Sequence, residues 1–352
     1  MEEKVLSSVL EMSYGLSDYQ LRRLNSRDLE DETCVYQMYH VRRSSLPGLV
    51  CFACHDRLAE RSTFRWEREG SVHDWLAERV CLLSYLEQQG YPAPRVFLAQ
   101  NGSSTVRHEC WNVLITTFLE GQAHLVSSDN LYLLASAVGR LHGLALPASV
   151  GPSWWNTSYS LPHGLRQLEA CAPFIPESHQ ALYEQCRRAF VTIQHALGQL
   201  PECIIHGDVW APNGVRTGEQ EVVLIDWEGA GRGAALLDLG ELLLKGQFDT
   251  RGAMPETVNE DAIAALVAGY AQWRYPEPLE CELLLDALRF RIAWVGAWRL
   301  SKVLLEGWTT ELERLLSYVQ RVYQLTEPTA LLALRCFAQT ANIGSAVRNM
   351  VN

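Results

Sequence analysis

Ile204-Ile205-His206-Gly207-Asp208-Val209-Trp210-Ala211-Pro212-Asn213, followed after a polar turn by Val222-Val223-Leu224-Ile225-Asp226-Trp227-Glu228, decides how the rest of the chain is to be understood. Each half is a brief apolar run of strand character, Cys203 to His206 and then Val222 to Asp226, that stops at a polar loop. Strands hold such loops rigidly while the loops reach solvent. Two acids and a carboxamide placed this way supply hard oxygen ligands for a divalent cation and still leave one carboxylate free as a base. Taken singly, Asp208 and Asn213 also fit an Asx-capped turn, and Asp226 a strand-ending acid. Their joint spacing, with Asp238 downstream, favours chemistry over three coincident turns.

Phosphoryl transfer needs these parts: divalent ions to offset the phosphate charge and an aspartate to orient and deprotonate an attacking hydroxyl. The sequence resembles the aminoglycoside phosphotransferase and choline kinase family, relatives of the protein kinases. The resemblance rests on His206-Gly207-Asp208 with Asn213 beyond it, on Ile225-Asp226-Trp227-Glu228, and on Asp238-Leu239 within Leu236-Leu237-Asp238-Leu239-Gly240. Gly90-Tyr91-Pro92-Ala93-Pro94-Arg95-Val96 and Leu114-Ile115-Thr116-Thr117-Phe118-Leu119-Glu120-Gly121 are similar to the family's strand entry and interlobe hinge.

The resemblance implies an α+β, two-lobed protein-kinase-like fold. Residues 1–118 would form a small antiparallel-sheet N-lobe that binds nucleotide, and residues 119–352 a larger, mainly helical C-lobe that carries catalysis and the acceptor pocket. It implies ATP- and Mg²⁺-dependent transfer of a γ-phosphoryl group to a hydroxyl of a small molecule. Aminoglycosides, macrolides, choline-like alcohols, homoserine-like amino acids and sugars all fit, their pocket lying in the helices at about 255 to 325. Asp208 would be the catalytic base, Asn213 a magnesium ligand and Asp226 the principal ligand of the metal bridging the phosphates. His206 would shape the loop, and Asp238 would be a buried acid that fixes it. Glu78 sits where the family pairs a helical Glu with a strand Lys on the phosphates, and the main chain at Thr117, Phe118 and Leu119 would meet the adenine.

The chain departs from that pattern in its first half. Its only lysines are Lys4, Lys245 and Lys302, none on an N-terminal strand. Arg65, in Thr63-Phe64-Arg65-Trp66, is one replacement; the other register puts Leu49 to His55 on that strand and leaves only His55 as a basic group. The turn at Arg27 to Thr33 has four acids and no glycine where the family has a glycine-rich loop. Two other readings therefore stand beside a small-molecule kinase. One is a catalytically weak pseudokinase that binds nucleotide or a partner protein; the other is a metal-dependent hydrolase using His206, Asp208 and Asp226.

Outward from the loops, the first hundred or so residues have strand character at Gln20 to Asn25, Cys34 to Val41, Leu49 to His55, Arg95 to Ala99 and Val113 to Phe118. Helical spacing from Val72 to Gln89 ends at Gly90. Beyond Gly121 the periodicity is helical over Leu131 to His142, His179 to Leu200, Glu260 to Trp273, Cys281 to Leu305 and Thr310 to Leu325. Trp294 and Trp298, one turn apart, fit a core better than a cage for a quaternary ammonium.

The 352 residues are 48% hydrophobic and 20% charged, which excludes a disordered chain. A net charge of −11 opposes a general hold on nucleic acid or an anionic membrane and is compatible with a cationic small substrate. No run approaches the ~18 apolar residues of a membrane helix, and the start is acidic where a signal peptide is basic, so a soluble, cytosolic protein is expected, its oligomeric state open. The ten cysteines are scattered, and Cys51-Phe52-Ala53-Cys54-His55 has the flanks of a strand rather than a second metal-ligand pair. No lysine follows a glycine, so there is no Walker P-loop, and neither a His-Glu-x-x-His helix nor a Gly-x-Ser-x-Gly elbow occurs.

Overall fold

A computed structural model of the chain describes residues 1, 3–24, 36–44, 46–56, 72–123, 126–153, 160–249, 253–305 and 312–351. They divide into two compact units, Met1–Gly121 and Gln122–Asn352.

In the first unit, strands β1 (Tyr19–Arg23), β2 (Tyr36–Arg43), β3 (Leu49–His55), β4 (Thr105–His108) and β5 (Trp111–Thr117) form an antiparallel sheet in the order β1-β2-β3-β5-β4. Side chains of a strand alternate between faces, and each face here has its own helix. Cys51 and Ala53 of β3 pack with Leu6, Val9 and Leu10 of α1 (Glu3–Tyr14), whereas Cys54 packs with Val72, Trp75 and Leu76 of α2 (Val72–Gln88). The two cysteines therefore serve opposite cores, and burial pushes the Cys51 thiol up to about 12. Their spacing is packing, not a metal site.

Two elements here differ from the sequence expectation. Arg95 to Ala99 is not a full strand: Phe97 donates to the Ile115 carbonyl and Val96 bridges Thr116, while β4 takes the remainder of the same β5 edge. One edge is shared between two short segments, so neither shows a long alternating pattern. The β4–β5 turn places Glu109 at a φ of 53°, without the glycine or asparagine that marks such a hairpin in a sequence.

The second unit is helical apart from two short strand pairs. Its helices are α3 (Ser128–His142), α4 (Ser160–Cys171), α5 (Gln180–Ala196), α6 (Ala235–Lys245), α7 (Glu260–Ala271), α8 (Pro278–Leu305) and α9 (Leu312–Val351). Caps set two starts: Ser127 accepts from the Asn130 N–H and Asn259 from the Ala262 N–H. Helix α9 runs past the expected end at Leu325 although Pro328 lies inside it. In the turn before that proline the Thr326 hydroxyl donates to the Tyr323 carbonyl. Trp294 packs against Phe190 and Phe290 at centroid distances of 5.8 and 6.0 Å, a core cluster, but Trp298, one turn on, is 37% exposed and does not share the core expected for the pair. No helix among the described residues is long and apolar enough to cross a membrane.

Helices α3 and α7 approach closely because each offers a glycine. A Cβ on Gly139 would lie 2.6 Å from the Tyr270 carbonyl oxygen, and one on Gly269 would overlap the carbonyl oxygen of Tyr132. Gly269→Ala gains helix propensity, roughly 0.5–1 kcal/mol, against an overpacking cost of roughly 1–3 kcal/mol. A net loss of about 1–2 kcal/mol is expected in urea unfolding, whereas Gly198→Ala, where nothing lies within 4 Å, should be near neutral. Equal midpoints for the two variants would show that the helices do not need the close approach.

Candidate active site

Strand β6 (Glu202–Ile205) pairs antiparallel with β9 (Gly231–Ala234), and β7 (Gly214–Arg216) with β8 (Val222–Leu224). The loop from His206 to Asn213 joins β6 to β7, and Asp226 follows β8. At Gly207 the backbone enters the left-handed region, φ 83°, which glycine adopts without strain. There the N–H groups of His206 and Gly207 donate to one carboxylate, Asp238 in the first turn of α6, at 2.6 and 2.8 Å. Asp238 is 1% exposed, and His142 Nε2 lies 3.1 Å from it. One tautomer satisfies the chain behind it: Arg274 donates to the Tyr270 hydroxyl (3.1 Å), which donates to His142 Nδ1 (2.9 Å), leaving Nε2–H to donate to Asp238. Arg274 in turn donates to Glu280 at 2.7 Å.

The two loops are tied twice. His206 Nε2 donates to the Ile225 carbonyl and the Ile225 N–H donates to the Asn213 carbonyl, both at 2.9 Å. The His206 ring also meets Trp227 edge-on at 4.8 Å. Asp226 sits between these ties at φ 66°, ψ 60°, a left-handed conformation that a non-glycine residue keeps only when its surroundings over-determine it. Asp208, Asn213 and Asp226 thus share one frame. With Nε2 committed to a carbonyl, the His206 ring is held in one orientation against the second loop. Among the described residues no group of three His, Cys, Asp or Glu is placed to hold a metal ion, the kind of set that the hydrolase reading on His206, Asp208 and Asp226 calls for.

The Asn213 amide nitrogen donates to both the Asp208 carbonyl (2.9 Å) and Asp208 Oδ2 (2.8 Å), so the amide oxygen points the other way. Asp208 Oδ1 accepts from Lys245 Nζ at 3.0 Å and Arg291 Nη2 at 3.3 Å. Burial by itself would raise the Asp208 carboxyl, but Lys245 and Arg291 outweigh it and hold it down at about 2. The Asp226 carboxyl is pushed up instead, by burial first and with Asp208 adding to it, against a hydrogen bond from Glu228 and the pull of His206. A buried carboxylate with a neighbouring like charge and an amide oxygen close in sequence and space is a donor set suited to a hard divalent cation that takes its other oxygens from phosphates and water.

Sequence reasoning missed Lys245, Arg291 and Glu241. Glu241 is 1% exposed and pairs with Lys245 at 2.5 Å and with Arg291. Lys245 also lies 5.0 Å from the Trp210 ring centroid. A signal existed for part of this: Asp238, Glu241 and Lys245 recur at three and four residues on one face of α6. Arg291, from the distant α8, left none.

The remaining sequence-derived residues lie in the first unit. Thr117 exchanges its N–H and side-chain oxygen with Arg95, through the Arg95 carbonyl and N–H respectively, at 2.9 Å each. The Phe118 N–H donates to the Gly48 carbonyl at 2.9 Å, and its ring stacks on His40 at 3.9 Å. Leu119 follows directly. Glu78 lies on α2, 3.9 Å from the guanidinium of Arg79. Arg65, and the turn from Arg27 to Thr33, lie outside the described residues.

A small antiparallel sheet with flanking helices, a helical second unit, and an aspartate and metal-suited pair on tied loops define a protein-kinase-like phosphotransferase. Residues 57–281 match the Phosphotransferase enzyme family, and the chain belongs to it. It is a small-molecule kinase. Over 236 residues it is 26% identical to a homoserine kinase of Pseudomonas aeruginosa (strain LESB58), covering 65% of this chain and 70% of that one. Its fold is similar to that of an amicoumacin kinase in complex with AMP-PNP and Ca²⁺, with a TM-score of 0.67, 13% identity and coverage of 92% of this chain and 94% of the other. It is also similar to a choline/ethanolamine kinase family protein from Mesorhizobium loti, with a TM-score of 0.59, 17% identity and coverage of 96% and 99%.

Removing the charge at Asp238 leaves buried donors facing a neutral amide. Hydrogen bonds to a charged group contribute about 1.5–3 kcal/mol each, and an Asn oxygen can still accept one of them. Asp238→Asn is expected to lose about 3 kcal/mol in urea unfolding. A loss below about 1 kcal/mol would mean that the carboxylate does not hold the loop.

Proposed function

We propose that the chain transfers the γ-phosphoryl group of ATP, with Mg²⁺, to a hydroxyl of a small molecule. The observation that carries this reading is the Asp208 carboxylate, fixed by the Asn213 amide on a loop tied to the one that presents Asp226. Asp208 orients the acceptor hydroxyl and receives its proton. The acceptor oxygen forms its bond to the γ-phosphorus as the bond to the bridging β–γ oxygen breaks, and ADP leaves. Asn213 Oδ1 and the Asp226 carboxylate would hold a divalent ion, whose charge would offset that of the phosphates.

On this reading residues 1–118 are the nucleotide-binding lobe. The N–H groups of Thr117 and Phe118 are already engaged, so the stretch from Thr117 to Leu119 would meet an adenine through its other main-chain groups. Glu78 is the helical acid of the phosphate-holding pair, and Arg65, assigned to it from the sequence alone with His55 as the alternative, would do as a two-bonded fork what a lysine does as a point charge. The acceptor is a small alcohol. The 26% identity to a homoserine kinase supports a hydroxylated amino acid among the acceptor types considered.

Two substitutions separate the roles. Asp208→Asn should lower the rate of ADP release by roughly 10²–10⁴-fold, the range for a lost general base, while calorimetric affinity for MgATP stays within about twofold, since Asp208 touches no phosphate. Asp226→Asn should instead abolish the Mg²⁺-dependent part of ATP binding. Near-normal turnover in the first variant, or unchanged MgATP affinity in the second, would overturn the assignment of that residue.

A further inference from the structure

Helix α6 holds the loop from His206 to Asn213 at two places along its length. In its first turn the Asp238 carboxylate takes the His206 and Gly207 N–H groups. Two turns further on, about 10 Å along the helix axis, Lys245 meets side chains that follow in the same loop. Its Nζ donates to Asp208 Oδ1 at 3.0 Å and lies 5.0 Å from the centroid of the Trp210 ring. The ammonium is itself held from below. Glu241, one turn before it and buried, pairs with it at 2.5 Å, and Arg291 from α8 pairs with the same Glu241 carboxylate.

The donors that reach Asp208 are shared unevenly between its two oxygens. An ionised carboxylate has about four lone-pair sites, two on each oxygen. Among the described residues Oδ1 accepts from both Lys245 and Arg291, at 3.0 and 3.3 Å, whereas Oδ2 accepts from the Asn213 amide alone, at 2.8 Å. Oδ1 is filled, and Oδ2 keeps one site. The carboxylate torsion of an aspartate is broad and close to two-fold, so an untethered group would exchange its oxygens by turning. Cations on one oxygen and an amide on the other prevent that exchange.

From this asymmetry we infer that Lys245 is a positioning residue for phosphoryl transfer: with Arg291 it occupies Asp208 Oδ1 and leaves Oδ2 as the oxygen that receives the acceptor hydroxyl. The inference rests on the proposed role of Asp208 and adds to it the atom at which the hydroxyl is held. That atom is the one bonded to the Asn213 amide, whose own oxygen points the other way. A hydroxyl held by one oxygen of a fixed carboxylate has a single direction of attack, whereas a turning carboxylate offers two. Lys245 acts through Asp208 and needs no contact of its own with acceptor or nucleotide.

The test uses the full chain, with ADP release measured on L-homoserine, choline and glycerol and the fastest of these used for the variants. Lys245→Met should lower kcat by about tenfold to a hundredfold, the effect of a misplaced reacting group, with KM for MgATP unchanged within about twofold. Because this substitution also takes a cation from the buried Glu241, the double variant Lys245→Met/Glu241→Gln removes both charges together and should show the same loss. Crystal structures of the wild type and the double variant, which need no acceptor, should show the Asp208 carboxylate in one orientation in the first and turned or divided between two in the second. Normal kcat in the Met variants, a rise in KM for MgATP that accounts for the loss, or a carboxylate unmoved in the double variant would overturn the inference. Turnover in Asp208→Asn at the wild-type rate sinks the phosphotransfer reading and this inference together. An inactive Asp208→Asn beside a normal Lys245→Met sinks the inference alone.

Discussion

The Asp238 carboxylate is the constraint on which the site depends. A buried carboxylate costs several kcal/mol in lost hydration unless it is partnered. Here the His206 and Gly207 N–H groups and His142 all face it. At about 1.5–3 kcal/mol for each bond to a charged group, three such bonds exceed that penalty. The anion therefore stabilises the turn only in the conformation that aims both N–H groups at it. That turn sets the direction in which the chain leaves β6, and with it the position of Asp208. The left-handed Gly207 is the local condition, since two successive N–H groups converge on one anion only when the backbone curls this way.

A second constraint is charge balance around Asp208. Its two cations also serve Glu241, which is buried. Glu241 can be kept out of water because two bases face it, whereas alone its charge would be costly to bury; the Asp208 side chain, 38% exposed, draws on the same two bases at the edge of the cluster. The arrangement keeps Asp208 ionised and prevents its carboxylate from rotating, with Oδ2 committed to Asn213 and Oδ1 to the cations. On the proposed mechanism a carboxylate in a defined orientation is what positions an acceptor hydroxyl in line with a phosphoryl group.

Which features could be read from the sequence follows from the range of their causes. The His206-to-Asn213 and Ile225-to-Glu228 loops were legible because their chemistry fixes residue types at fixed local spacing. Strand β3, most of α2, and α3 were legible from periodicity. Strand β4 was not, because its turn uses Glu109 in place of glycine and its edge of β5 is shared with Arg95 to Phe97. Helix α1 carries its own signal in the spacing Leu6, Val9, Leu10, Tyr14, which lies outside the strand character expected of the first half. Lys245 could have been found from its spacing to Glu241. Arg291 and Tyr270 could not, since each reaches the site from more than 80 residues away in sequence, to Asp208 and His142 respectively.

The packing of the helical unit and the geometry of the site are one problem rather than two. His142 lies three residues beyond Gly139 on α3, and Tyr270 lies beside Gly269 on α7. The glycines let the helix backbones meet where any side chain would hold them apart. That approach places the Tyr270 hydroxyl 2.9 Å from His142, and so aligns His142 with Asp238. Were the helices separated by the width of a methyl group, this hydrogen bond would exceed its working range. His142 would then lose the acceptor-side contact that fixes its tautomer and orientation. The small residues at the α3–α7 crossing therefore act on the loop that carries Asp208 through three side chains, although neither glycine lies on that loop.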